Sequence, residues 1–321
     1  EAQEKRAFED RFGDAMHYLE WMRPRIRELY RILKPTGSFY YHCDHHASHY
    51  IKVELDRIFG IDSFRNEIIW CYRGGGVPKN AFARKHDVIF FYAKGDDNYF
   101  TPQYTPYSDA SQELVRGRGG VSIDNLPRDL ARGAHMPDWW SDINALQTWS
   151  PERLGYPTQK PVALLERIIQ ASSKNGDVVL DAFCGCGTTL EAATKLKRKW
   201  IGIDFSPTAC RVMAQRLEDR LGLKEGDSFT LRDMPKTAEQ LRRMPHFEFE
   251  NWAVVALGGI PNKVKVGDYG IDGRLYLADM VKQHKGDFFE TLDLWYPIQV
   301  KQVDSVGRPE VDSFETAMRR D

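Results

Sequence analysis

Residues 181–189 read Asp-Ala-Phe-Cys-Gly-Cys-Gly-Thr-Thr, two thiols alternating with two glycines at the end of an apolar run. Thiolates can hold a metal, but Cys184 and Cys186 are one residue apart, whereas structural zinc pairs are spaced by roughly two to four. The remaining cysteines, Cys43, Cys71 and Cys210, are scattered and form no second pair. A tight turn fits better: "DVVLDAF" has the pattern of a buried parallel strand, and "TTLEAATKL" that of a helix whose N-terminal amides face a ligand. On that reading Gly185 and Gly187 shape the turn and the thiols are small apolar fillers.

Three ligands compete for such a loop. A phosphate loop requires a lysine after its last glycine, and Thr188 stands there instead. A dinucleotide fingerprint requires a third glycine for helix packing, where this chain has Leu190. S-Adenosylmethionine requires an acid at the end of the next strand to accept its ribose hydroxyls, and Asp204 in "WIGID" lies at the Rossmann spacing from the loop. A second group of reactive side chains, His42, Cys43, Asp44, His45, His46 and His49, follows an earlier strand. His45 and His49 have the i, i+4 spacing of a helical metal pair, but no glutamate follows His45. Asp44 and His42 at the carboxyl end of a strand read equally as cleft residues or as local caps.

These residues need elements to hold them. "HYLEWMRPRIRELYRILKP" predicts a helix stopped by Lys34-Pro35-Thr36-Gly37, "GSFYYHCD" a strand, and "HHASHYIKVELDRIFG" an amphipathic helix closed by Gly60. "NEIIWCYRG" and "HDVIFFYAK" are further strands, followed from Asp96 to Pro157 by irregular sequence. "KPVALLERIIQASS", the strand carrying Asp181, the glycine loop, another helix and "KWIGID" complete an α/β alternation of Rossmann-like kind. At 321 residues with 42% hydrophobic content the chain can bury one large core or two. Five scattered cysteines, no apolar run of membrane length and no signal peptide predict a cytoplasmic protein with no membrane partner. A net charge of −1 leaves any nucleic-acid surface to local patches. The chain opens on Glu1 and closes in "SFETAMRRD", which suggests a piece cut at both ends.

"YPTQKPVALLERII", "GDVVLDAFCGCGTTLEAA" and "RKWIGIDFSPTA" together resemble the cofactor half of the amino-methylating DNA methyltransferases in their β arrangement, where this half follows the catalytic one. "LKPTGSFYYHCD", "FRNEIIW" and "HDVIFFY" resemble the strands that follow that family's catalytic loop, so the likeness covers about residues 15–220. The resemblance implies a Rossmann-like methyltransferase domain over 1–221 that uses S-adenosylmethionine and acts on adenine N6 or cytosine N4, adenine favoured. It implies that Asp181, Ala182, Phe183, Cys184, Gly185, Gly187, Thr188, Thr189 and Asp204 hold the cofactor, with Thr158, Gln159, Lys160 and Pro161 closing over its methionine part. Thr158 could instead cap the helix that follows. Double-stranded DNA is the implied partner, and a second copy of the chain a candidate one. The family inserts its target-recognition region after "HDVIFFY", which places it at 97–150 with Arg116, Arg118, Arg128 and Arg132 as candidate DNA contacts and Trp139 and Trp140 as packing or stacking residues.

Two features depart from that pattern or extend it. The family's Asp/Asn/Ser-Pro-Pro-Tyr/Phe tetrapeptide accepts hydrogen bonds from the target amino group and stacks on the extruded base. No Pro-Pro occurs in this chain, and the segment that should carry it precedes the helix of Trp21, so the chain by itself is expected to be inactive. After a linker at 222–240, residues 241–321 resemble a truncated Mrr-like restriction-endonuclease fold of α/β type. That likeness makes Asp272 a Mg²⁺ ligand, puts Gln299 where a second metal acid usually stands, and gives Lys301 the attacking water, with Glu248 or Glu250 as the helix acid. A plain Asp-Gly turn and a surface lysine explain the same residues.

Overall fold

The computed structural model describes residues 15–73, 78–107, 133–147, 149–154, 156, 158–232, 234, 238–257, 260–261, 272–275 and 296–301. Helix α1, Ala15–Ile32, buries Leu19, Met22 and Ile26, which recur at helical spacing. Strand β1, Ser38–Cys43, leads into α2, Ser48–Phe59, whose buried Ile51, Leu55 and Phe59 form one stripe. Gly60, at φ 90°, ends α2 by donating its N–H to the Asp56 carbonyl. Strands β2, Phe64–Cys71, and β3, His86–Ala93, follow with no helix among the described residues between them, and pair antiparallel. β3 also pairs antiparallel with β1, and thus lies between two strands that run parallel to one another.

β3 is apolar nearly throughout because both its faces are covered. Val88, Phe90 and Tyr92 face α1 and α2. Ile89 and Phe91 face the opposite way, onto Ile68, Trp70, Trp140 and Leu164. Short strands β4, Tyr104–Thr105, and β5, Ala134–His135, pair with each other, and β6, Trp139–Trp140, adds parallel to β2. Trp140 is therefore a core residue, while Trp139 is 58% exposed.

Helix α3, Val162–Ser172, precedes the parallel unit β7 (Val178–Asp181), α4 (Thr188–Lys195) and β8 (Lys199–Gly202), with Asp181 opposite Gly202. This unit is the expected Rossmann-like alternation. Among the described residues it shares no strand pair with the first sheet; α3 links them, since Leu164 packs into the first sheet's core and Val162 and Ile169 against α4. Helix α5, Pro207–Leu221, starts at Ser206 and stops at Gly222, which is left-handed at φ 67°.

Part of the stretch expected to be a linker is packed. Leu223 and Phe229 lie against the cluster of Cys184, Leu190, Met213 and Leu217, an apolar surface that the end of α5 leaves open. After α6, Ala238–Arg242, helix α7, His246–Ala256, packs on α5. Strands β9 (Ile260–Pro261), β10 (Gly273–Leu275) and β11 (Tyr296–Ile298) make a small antiparallel sheet with β10 central. Among the described residues no helix is long and apolar enough to cross a membrane.

Candidate functional site

The loop after β7 is built on two left-handed glycines, Gly185 at φ 49° and Gly187 at φ 77°. A Cβ on Gly187 would stand 2.5 Å from Met213 Cγ of α5, and one on Gly185 would stand 3.2 Å from the Tyr156 ring. Glycine at 187 is thus required by packing against the protein's own α5. Asp181 accepts the Phe183 N–H at 3.0 Å and the Thr189 hydroxyl, and Ala182 completes the turn. Asp204, at the end of β8, accepts the Gly185 N–H at 2.8 Å and the Ser206 N–H at 2.9 Å, tying the loop to the start of α5. Burial raises both carboxyls above the usual range. The loop and Asp204 therefore meet as the sequence spacing predicts.

Cys184 and Cys186 are buried. Cys184 Sγ donates to the Ile203 carbonyl at 3.2 Å, and burial pushes both thiols up, away from the thiolate that a metal requires. Thr188 hydroxyl instead accepts from Arg216 at 2.9 Å.

Gln159 accepts the Leu154 N–H and donates to the Glu152 carbonyl, each at 2.8 Å. Thr158, left-handed at φ 59° and exposed, does not cap α3. Pro161 occupies that position, and Glu152 Oε1 accepts the first free N–H, from Val162, at 2.6 Å. Lys160 donates to the Thr158 carbonyl at 3.0 Å. Burial lowers its pKa against the pull of Asp87, Cys186 and Asp44.

At the far end of β1, His42 Nε2 lies 3.0 Å from Asp87 Oδ2, and the Tyr72 hydroxyl donates to Asp87 Oδ1 at 3.0 Å. The His42 ring meets Trp70 edge-on at 5.5 Å. Burial lowers the His42 pKa although Asp87 opposes it; Asp87 is held below the carboxylate range, chiefly by His42 against its own burial. Asp44 serves its own turn: it accepts the His46 N–H at 2.9 Å and lies 2.8 Å from His46 Nδ1. Helix α2 starts only at Ser48, so His45 lies in the preceding turn, off the helix that carries His49. Among the described residues, the group whose ligand atoms converge is Asp44, His45 and His46, on the surface.

Several residues that hold the loop carry no local sequence signal. Arg216 of α5, with no side-chain exposure, makes a buried pair with Glu191 of α4, and Lys195 reaches the same carboxylate at 2.7 Å. Twenty-five positions separate Glu191 from Arg216, so only the fold pairs them. Tyr156 places a buried hydroxyl beside the loop with no hydrogen-bond partner. Glu248 of α7 accepts the Ser206 hydroxyl and the Thr208 N–H.

Among the other expected residues, Asp272 donates its N–H to the Ile298 carbonyl and accepts the Val300 N–H at 2.7 Å, which sets it beside Gln299 where β10 meets β11. Lys301 is exposed. Arg116, Arg118, Arg128 and Arg132 lie outside the described residues.

The chain is similar to several known proteins. The type II methyltransferase M.EcaI of Enterobacter cloacae is 31% identical over 270 residues, 65% of this chain and 59% of that protein. The DNA adenine methyltransferase YhdJ of Escherichia coli K12 is 32% identical over 206 residues, 63% of this chain and 67% of that protein. Among solved structures, PvuII DNA methyltransferase (cytosine-N4-specific) aligns at TM-score 0.47 and 16% identity, over 64% of this chain and 73% of that one. The chain spans about half to three-fifths of the length of several curated relatives that it matches. The DNA methylase family of N6/N4 type matches residues 2–216, and the chain belongs to that family.

Proposed function

We propose that the protein transfers a methyl group from S-adenosylmethionine to an exocyclic amino group of a base in double-stranded DNA. The observation that carries this reading is the junction of Gly185 with Asp204: a left-handed glycine loop at the end of β7, bonded to an acid at the end of β8. That acid suits a ribose, since a carboxylate accepts from two hydroxyls, and the orphaned Tyr156 hydroxyl beside the loop offers a donor to a polar ligand. Residues 181–189 and 204 would hold the cofactor from below and 158–161 from above. The cofactor supplies an electrophilic methyl on a sulfonium; the chain's own residues bind and orient it. Adenine N6 is the favoured target, supported by the likeness to YhdJ, which is named as a DNA adenine methyltransferase. These 321 residues contain no Pro-Pro pair, so methylation is expected only of a protein that also carries the amino-accepting tetrapeptide. The test is titration of S-adenosylmethionine by calorimetry, with base analysis of plasmid DNA from cells expressing the complete gene. Absence of both cofactor binding and N6-methyladenine or N4-methylcytosine would overturn the reading.

A second activity is favoured by one observation, the placement of Asp272 beside Gln299 on adjoining strands. An antiparallel strand pair of that kind can present an acid and a lysine to a hydrated Mg²⁺ and a phosphodiester. Gln299 is a weaker ligand than a carboxylate, so cleavage of unmethylated plasmid with Mg²⁺ is expected to be slow and to vanish in Asp272→Ala. Cleavage that survives the substitution would remove Asp272 from the site.

A further inference from the structure

We infer that Glu248 is a positioning residue for Asp204, so that helix α7, which lies beyond the segment matched by the family, helps to form the cofactor site. This inference rests on the proposed cofactor reading. Glu248, in the first turn of α7, is 8% exposed, and Ser206 is 1% exposed. Glu248 Oε1 accepts the Ser206 hydroxyl proton and, at 3.3 Å, the Thr208 N–H. With its proton committed to Glu248, the Ser206 oxygen turns a lone pair to the Ala209 N–H at 3.2 Å. Ser206 N–H in turn donates to Asp204, whose other oxygen takes the Gly185 N–H. A continuous line of hydrogen bonds thus runs from α7 through the start of α5 to the glycine loop.

The chemistry explains why an acid stands at 248. The first turn of α5 has N–H groups with no helical acceptor, and a carboxylate there satisfies one and opposes the positive end of the helix. Without it, the Thr208 N–H and the Ser206 proton are buried without acceptors, and the segment that fixes Asp204 loosens. Asp204 would keep its charge but lose its aim.

The test compares two ligands of the complete protein by calorimetry, S-adenosylhomocysteine and its analogue lacking the ribose 2′-hydroxyl. Wild type is expected to prefer the hydroxylated ligand about tenfold, as one charge-assisted hydrogen bond allows. Glu248→Ala should shrink that preference to about twofold, Asp204→Ala should abolish it, and Glu248→Ala added to Asp204→Ala should change it no further. Glu248→Gln keeps the accepting oxygen and should restore the preference; Ser206→Ala, which removes the relay without touching α7, should mimic the loss. A merely structural role would weaken both ligands by the same factor and leave the ratio intact, which would overturn the inference. Failure of wild type to bind either ligand would instead bring down the cofactor reading, and the inference with it.

Discussion

Gly187 has a job that its neighbours cannot share. At φ 77° with Met213 Cγ 2.5 Å from any added Cβ, even alanine must take a left-handed backbone and displace α5. Gly187→Ala should lose about 1–2 kcal/mol from the backbone alone, and Gly187→Val more, together with ligand binding. A urea midpoint unchanged from wild type would contradict that. Arg216 makes the opposite case, a charge that the fold must keep paired. Replacing it with methionine leaves Glu191 to Lys195 and, at 4.0 Å, Arg220, and should cost about 3–5 kcal/mol in urea unfolding, while Arg216→Met with Glu191→Leu should recover much of the loss. Sequence reading reached the glycines and Asp204 because tight turns and strand ends leave short-range signals. It could not reach Arg216 or Tyr156, and it read Glu248 only as a nuclease-like helix acid, because their meaning lies in partners across the fold.

At the scale of elements, β1, β2 and β3 were legible from their apolar runs, but the placement of β3 between the other two was not, because pairing is decided by connection and not by pattern. That placement brings His42 of β1 onto Asp87 of β3 and sets a pH response. His42 titrates below its ordinary value near 6.5 in the folded state, so the unfolded chain takes up the proton first. The stability that His42 contributes is present above about pH 6.5 and is lost as pH falls through its folded value. Asp87, also lowered, acts in the same sense below its ordinary 3.8. The urea midpoint should therefore fall between pH 7 and pH 5.5, and His42→Gln should flatten that decline; an equally steep fall in the variant would assign it to other groups.

For the whole molecule, the question is where the methyltransferase body ends. Composition suggests a boundary in the polar joint at 222–240, but packing continues beyond it. Phe229 lies 6.1 Å from Trp200, ring to ring, and α7 sets Glu248, Asn251 and Val254 into buried positions, Val254 with no exposure at all. Ending the chain at residue 236 would uncover the α5 face that α7 protects and strip Ser206 and Thr208 of their acceptor. Burying one valine stabilises by about 1.5–3 kcal/mol, and each orphaned buried donor costs about 1–3 more. A chain ended at residue 257 keeps those contacts and removes, among the described residues, the β9–β11 sheet. Thermal unfolding should then show the 257-residue form near the parent's midpoint and the 236-residue form lower by several degrees, with weaker S-adenosylhomocysteine binding in the shorter form alone. Equal midpoints for the two truncated forms would restore the boundary to 222–240 and make α7 part of the following unit.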